Sequence, residues 1–525
     1  MTRVIARGRF CAGVALVLAT GCSSGGATGP SGGKPINAVA PGSAITTCTP
    51  PVAPVDVSHP TTVVGTGTAG SCTEAAFASA LAAGGTITFD CGSSPVSIPM
   101  TAQHLVTHNT VIDGGGLVTL TGGDAHGILA IRTYYNLTDP SLTVQNITLT
   151  HGHTTDVVNT TGLDSGGAAI FRLGGTLTVI NSTLSDNHGP SSGQDVAGGA
   201  IYSIGAGPTT VVGSLFSGNS ASNGGAIGNL GNDFTLVNSR LVGNRASGTG
   251  GNPGNGGNGG GISIDGQGTT ITLCGDQLQS DTGNAFGGGL FRVAYLGTEP
   301  TIIDRTSIDS NVILSTTQGL AGGLYLQDTK ITMTATTIAN NAANGAGGFF
   351  VGPGATADLT NTTIAGNTAY TSLGGGLWLD ASVHGTLLNV TIADNHAPGS
   401  VAFDGGIAFG STGVTLQNSI VADNTVGNGY NPINCGATLT DGGGNIQYPV
   451  ARAGGGSDSP NSLCAAGVLI ASPQLGPLGN SGGPTETLVP ASGSPAIGLG
   501  RNCPSTDQRG TSRADHCTAG AVEAP

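Results

Sequence analysis

Apolar and polar positions along this chain form one short pattern that is repeated many times. Between residues 197 and 244 it reads AGGAIYSIGAGPTTVVGSLFSGN and then SASNGGAIGNLGNDFTLVNSRLVGN. Each copy holds a double glycine, a short apolar strand, a turn, a second short strand and a closing Asn. The frame is an apolar residue, a turn residue two later, an apolar residue five later and Asn eight later. Val179-Asn181-Leu184-Asn187, Leu236-Asn238-Leu241-Asn244, Leu359-Asn361-Ile364-Asn367, Leu387-Asn389-Ile392-Asn395 and Leu416-Asn418-Val421-Asn424 all fit it. Gly213, Gly275, Arg305 and Ala335 take the turn position in copies that close on Asn219, Asp281, Asn311 and Asn341. The closing positions lie from 25 residues apart (Asn219 to Asn244) to 37 apart (Asn244 to Asp281). Double glycines followed by an apolar run recur beside residues 166, 198, 224, 260, 288, 322, 347, 375 and 405.

A period this short cannot hold a four-stranded propeller blade, and it carries no helical spacing. Two or three short strands per copy predict an all-β fold, a right-handed parallel β-helix in which each copy is one rung. About eleven rungs stacked roughly 4.8 Å apart would make a rod of roughly 50–55 Å. Glycine would serve corners and close approach. Asparagine would accept left-handed backbone and bond its amide to the next rung. Ahead of the repeats, the stretch from Ser71 to Gly85 reads as a short helix capped by Thr73 or Ser71 and ended by Gly84, with Phe77 and Leu81 on one face, suited to cover the first rung.

The ends differ from the middle. Arg3, Arg7 and Arg9 precede an apolar run, Phe10–Ala19, that is too short to span a bilayer, so residues 1–21 read as a secretory signal. Leu18-Ala19-Thr20-Gly21-Cys22 resembles a bacterial lipobox, which implies lipidation at Cys22. Residues 22–60 read as a flexible Gly/Ser/Pro tether, 61–450 as the β-helix with its N-terminal cap, and 451–525 as a C-terminal cap.

Composition narrows the function. Only 8% of the 525 residues are charged, the net charge is −14, and Lys34 and Lys330 are the sole lysines. Such a surface lacks the basic footprint that phosphate neutralisation needs, so nucleic acid is excluded as a partner. Ten cysteines point to an oxidising compartment. Spacing suggests bridges Cys72–Cys91, Cys435–Cys464 and Cys503–Cys517, leaving Cys48 and Cys274 unassigned.

Two resemblances refine this picture. The repeated GGAI and closing-Asn motifs resemble those of the polymorphic outer membrane protein family, which implies a β-helical passenger and adhesion. Gly479-Asn480-Ser481-Gly482-Gly483-Pro484-Thr485, Gly493-Ser494-Pro495-Ala496-Ile497-Gly498, Asp507-Gln508-Arg509-Gly510 with Arg513, and Gly520-Ala521-Val522-Glu523 are similar to the choice-of-anchor Q domain. That likeness implies a bacterial surface protein whose β-helix is joined to one of several anchors, here the lipid at Cys22.

Enzymes on β-helices use clustered carboxylates, calcium or a neighbouring Lys or Arg. No Asp-Asp pair stands out, and Asp113 in Ile112-Asp113-Gly114-Gly115 reads as a turn former. Placing Gly152 over Asn187 stacks His153 on His188, with Asp186 and Asp156 near in sequence. Two imidazoles a rung apart suit a transition metal or an acid–base pair, but Asp394-Asn395-His396 repeats the motif far away, which favours turn chemistry. Trp378, the sole tryptophan, alternates with Leu377 and Leu379 and so faces outward if they face in, as a weak candidate sugar platform or else as local packing. Asp164, Asp195, Asp265 and Asp328 in loops offer weak calcium ligands, and Asp507, Arg509, Arg513 and Glu523 a structural network. The expected function is a cell-surface lipoprotein rod, non-catalytic and adhesin-like, contacting polysaccharide or a neighbouring cell's surface glycan. The alternative is a polysaccharide lyase or glycoside hydrolase with its site around residues 151–164.

Overall fold

The repeats wind into coils whose strands pair only with the equivalent strands of the coils before and after. The computed structural model describes residues 47–155, 166–251, 254–315, 318–408, 413–450 and 462–525. Among the described residues the coils build four parallel sheets, and only the later coils contribute a strand to every one. Sheet I holds fourteen strands, from Thr62–Val64 to Thr440–Asp441; sheet II holds fourteen, from Val96–Pro99 to Leu469–Ile470. Sheet III is a ladder of eight two-residue strands from Ser220–Ala221 to Thr425–Val426. Sheet IV holds eleven, from His104–Leu105 to Ile407–Ala408. Within a coil the chain passes IV, I, II, III. The fold is a right-handed parallel β-helix, longer than the repeat count implies. Fourteen strands at the usual spacing extend roughly 60 Å; the first coils escape the repeat signature because no double glycine directly precedes their sheet IV strands, His104–Leu105 and Leu129–Arg132.

Alternation decides what lies inside. In Thr183–Ser185 the middle residue Leu184 is buried and its neighbours are partly exposed, and Leu149, Phe216 and Leu241 occupy the same register. In sheet IV the columns Ile170, Ile201 and Ile227 stack in the interior while Phe171 and Tyr202 stack outside.

The two residue types that dominate the pattern have separate tasks. At Gly199, Gly225, Gly260, Gly288, Gly322, Gly347 and Gly375 a Cβ would collide with the carbonyl of the matching glycine one rung on. Close approach, not positive φ, fixes these positions. The residue just before does have positive φ, and there Ala321, Ala346 and Asp404 are accepted beside Gly198 and Gly224. Asparagine divides likewise. Asn181, Asn361, Asn389 and Asn418 take left-handed turns, with φ near 50°. The closing asparagines form the ladder. The Asn187 main-chain and side-chain N–H both donate to Asn219 Oδ1 at 3.0 Å, Asn219 does the same to Asn244, and the series runs through Asn311, Asn341, Asn367 and Asn395 to Asn424. Asp281 alone interrupts it, accepting from Asn244 N at 2.7 Å and Nδ2 at 2.9 Å.

The helix forms where expected, over Glu74–Ala83, with the Thr73 hydroxyl accepting from Ala76 N and Gly84 closing it in left-handed backbone. Phe77 and Leu81 are buried under it, and Glu74 bonds His104 at 2.8 Å. The bridges Cys72–Cys91, Cys435–Cys464 and Cys503–Cys517 are present.

A fourth bridge, Cys48–Cys274, joins the two cysteines that spacing leaves unassigned. It fastens part of the span expected to be tether. Asn238 Oδ1 accepts from Thr47 N and Cys48 N at 3.0 and 2.9 Å, and its Nδ2 donates to the Cys48 carbonyl. Gln145 grips both polar groups of Val55. Residues from Thr47 therefore lie along the corner between sheets I and II, and Asn238 holds this strap instead of joining an amide ladder.

The C-terminal segment adds Leu469–Ile470 to sheet II and then returns along the same corner. Thr485 Oγ1 donates to the Ala335 carbonyl, Asn361 Nδ2 to Thr506 O, and Gln508 bonds Thr337 and Thr363. The sequence carries a sign of this covering. Early sheet II strands such as Ser307–Asp309 keep polar outer residues, whereas Thr337–Ala339, Thr363–Ala365 and Thr391–Ala393 all read TIA and are buried on both faces. The Arg509–Asp507 and Arg513–Glu523 ion pairs, at 2.8 and 3.2 Å, stabilise the returning segment.

Candidate functional site

The histidine pair follows from the ladder. Gly152 N–H donates to Asn187 Oδ1 at 2.9 Å, which sets the coils in register and brings His153 into a parallel bridge with His188. His153 N–H in turn donates to the His126 carbonyl, so a third histidine, absent from the sequence reading, precedes them. His188 Nδ1 lies 2.9 Å from Ser220 Oγ on the next coil. The same contact recurs between His396 Nδ1 and Thr425 Oγ1, also at 2.9 Å. Asp186 sits in the left-handed corner (φ 53°) with its carboxylate over Gly218 on the next coil. Asp156 and Asp164 lie outside the described residues. The imidazoles are therefore members of the outer column that begins sheet III, where Ser220 and Thr425 also stand.

Trp378 faces outward as alternation predicts, between the buried Leu377 and Leu379. It ends a column of rings: Phe291 lies 5.2 Å from Tyr325, Tyr325 4.8 Å from Phe350, and Phe350 5.0 Å edge-on to Trp378. One side of the indole is thus occupied by the protein itself.

Of the loop acids, Asp113 accepts from Gly115 N at 2.7 Å and from the Gln145 and Asn146 amides, as a turn former does. Asp195 and Asp265 line one small notch on sheet IV, of about 40 Å³. Asp328 is two coils further along and is bonded by Gln327 at 3.0 Å. Among the described residues, the one grouping of metal-type ligands is Cys48, Cys274 and Asp304, and its two sulfurs are bonded to each other. Within the interior, Arg172 donates to the carbonyls of Gly174 and Gly175, and burial brings its pKa down to about 10. It ties a corner and does not face solvent.

Sequence reading missed the exposed aromatics on the corner between sheets IV and I. Tyr134 and Tyr135 are 76% and 51% exposed, and Tyr295 and Leu296 are 51% and 60% exposed. Most coils turn this corner in two to five residues, but residues 133–140 and 294–299 make longer loops. A paired Tyr in the longest such loop of a chain with 4% aromatics was the available signal.

Residues 293–449 match the family described as right handed beta helix region. A search of the curated proteins and of the solved structures returns no match. The match and the coil geometry agree on one architecture, a right-handed parallel β-helix.

Proposed function

We propose that the chain is a non-catalytic, adhesin-like rod that contacts glycan at a bacterial surface, secreted by its leading segment and held by a lipid at Cys22. The observation that carries the non-catalytic reading is the repetition of the histidine contact. His188 on Ser220 and His396 on Thr425 make the same bond at the same distance in distant coils, as a structural column does. A site specific to one coil would differ from its copies. Four disulfides among the described residues suit an extracellular compartment. The surface-protein reading further draws on the repeat and C-terminal motifs that resemble surface families.

The test incubates the purified chain with polygalacturonate, dextran and mannan, following unsaturated products by ultraviolet absorbance and reducing ends by colorimetry. Binding without turnover is expected. Turnover that disappears in His153→Ala or His188→Ala would overturn the proposal in favour of a polysaccharide lyase or hydrolase.

A further inference from the structure

Between Phe171 and Trp378 the outer column of sheet IV is aromatic except at two adjacent coils. Register places Phe171, Tyr202, Gly228, Ser263, Phe291, Tyr325, Phe350 and Trp378 in one line along the rod. Gly228 and Ser263 leave a break between the Tyr202 and Phe291 rings, whose strands stand three coils or roughly 14 Å apart. That break is the notch already described. Its walls are the two aromatic residues, its rims carry Asp195 and Asp265, and Asn223 and Asn258 add amides. Asn258 Oδ1 is buried and receives no hydrogen bond.

Two tyrosine loops reach the Asp265 side of the notch from opposite ends. Residues 133–140 lie down across three later corners, because those corners are glycine. Leu137 O accepts from Gly175 N, Tyr135 O accepts from Ala206 N, and a Cβ on Gly231 would collide with the Tyr135 hydroxyl. From the other end, Tyr295 leans back one coil and donates its hydroxyl to Asp265 Oδ1 at 2.8 Å. The Glu299 carboxylate accepts from Gly268 N, Tyr295 N, Leu296 N and Thr298 N, which holds this loop in place. Gly231 and Asp265 belong to adjacent coils, since Gly231 N donates to Asp265 O. The two tyrosines, each 51% exposed, therefore reach adjacent coils at the Asp265 end of the notch, Tyr135 at Gly231 and Tyr295 on the Asp265 carboxylate.

The geometry points to a glycan-binding site here: a neutral saccharide chain crosses the rod at Gly228 and Ser263, stacks on Tyr135 and Tyr295, and sets hydroxyls against Asp265, Asp195 and Asn258. Rings with a polar tip and a few fixed acceptors are what a hydroxyl-rich, uncharged ligand uses. The acids select against uronates, for no Lys or Arg lines the notch and the chain carries −14 overall. The inference rests on the glycan-contacting reading above and gives it a place and a ligand class.

Affinity electrophoresis of the full chain through gels containing dextran, mannan, xyloglucan or polygalacturonate tests it. At least one neutral polymer should retard the wild type, and polygalacturonate should not. Tyr135→Ala with Tyr295→Ala should weaken retardation at least tenfold, while Tyr135→Phe with Tyr295→Phe retains most of it. Ser263→Phe, which continues the ring column through the break, should abolish retardation without touching either loop, with thermal melts confirming the fold. Trp378→Ala should leave it unchanged. Retardation by a neutral polymer that survives the tyrosine and Ser263 variants would overturn this site while leaving a glycan-contacting rod. Preference for polygalacturonate would overturn the ligand class. Retardation by none of the polymers would overturn both the site and the glycan reading.

Discussion

Asp281 occupies a place built for an amide, and replacing it with Asn should stabilise the rod at neutral and alkaline pH. In the neighbouring coils the ladder Nδ2 donates twice, as Asn311 does to Leu278 O at 2.9 Å and to Asn341 Oδ1 at 3.0 Å. Asp281 Oδ2 in that place is fully buried and has no hydrogen-bond partner. Burial raises its pKa from 3.8 to about 7, against the bonds from Asn244, which lower it. A carboxyl whose folded pKa lies above its unfolded one contributes fully below pH 3.8, and that contribution is lost as pH rises through 7. Three pKa units at about 1.4 kcal/mol each give a deficit of roughly 4 kcal/mol by pH 8. Asp281→Asn removes the titration and supplies the missing donor. Urea unfolding followed by circular dichroism at pH 4 and pH 8 should show near-equal midpoints at the acid end and a variant midpoint higher by about half a molar or more at pH 8. Asp276, buried in the same coil and also shifted upward, is common to both proteins and cancels. A variant no more stable than wild type at pH 8, or a difference that does not change with pH, would refute the reasoning.

Other outcomes follow from single contacts. Gly322→Ala drives a Cβ into the Ala342 amide and the Gly347 carbonyl and should lower stability by about 2–4 kcal/mol. Ala321→Gly, one residue earlier at positive φ, should cost nothing or gain up to about 1 kcal/mol in the same thermal melts. Gln508→Ala breaks the bonds to Thr337 and Thr363 and should release the returning C-terminal segment to limited proteolysis while the coils stay resistant. Cys48→Ser with Cys274→Ser should expose residues 47–60 to protease without unwinding the coils, read by mass spectrometry of the fragments.

The repeat made the coil legible because its determinants are local to each copy: an apolar residue inside, a glycine where strands nearly touch, an asparagine at the ladder. Three bridges could be read because each closes a short loop. Cys48–Cys274 could not, since its partners are 226 residues apart and only the returning path of the strap brings them together. Asn238 shows the same limit. It fits the turn frame, yet its side chain serves a segment far outside the repeat. The TIA strands did announce a covered face, through small outer residues where Ser, Thr, Gln or Arg stood before. Nothing local said which segment covers it. At the candidate site, register put His153 on His188, but their role emerged from the contacts with Ser220 and Ser220's counterparts. The tyrosine loops were hidden because they act across three coils at glycine corners, a distance no single copy encodes.

The bridge between Cys48 and Cys274 also sets how the rod bears load. Tension applied ahead of Thr47 enters the coil at Cys274 through the sulfur–sulfur bond, with the Asn238 clamp on Cys48 beside it. Toward the C-terminus, the Cys503–Cys517 bridge sits in the segment that doubles back onto Asn389 and Asn418. A pull on the leading segment therefore bypasses the coils ahead of the one that carries Asn238. Those coils, which carry His153, His188 and the Tyr135 loop, hang outside the line of force and keep their shape while the rest is strained.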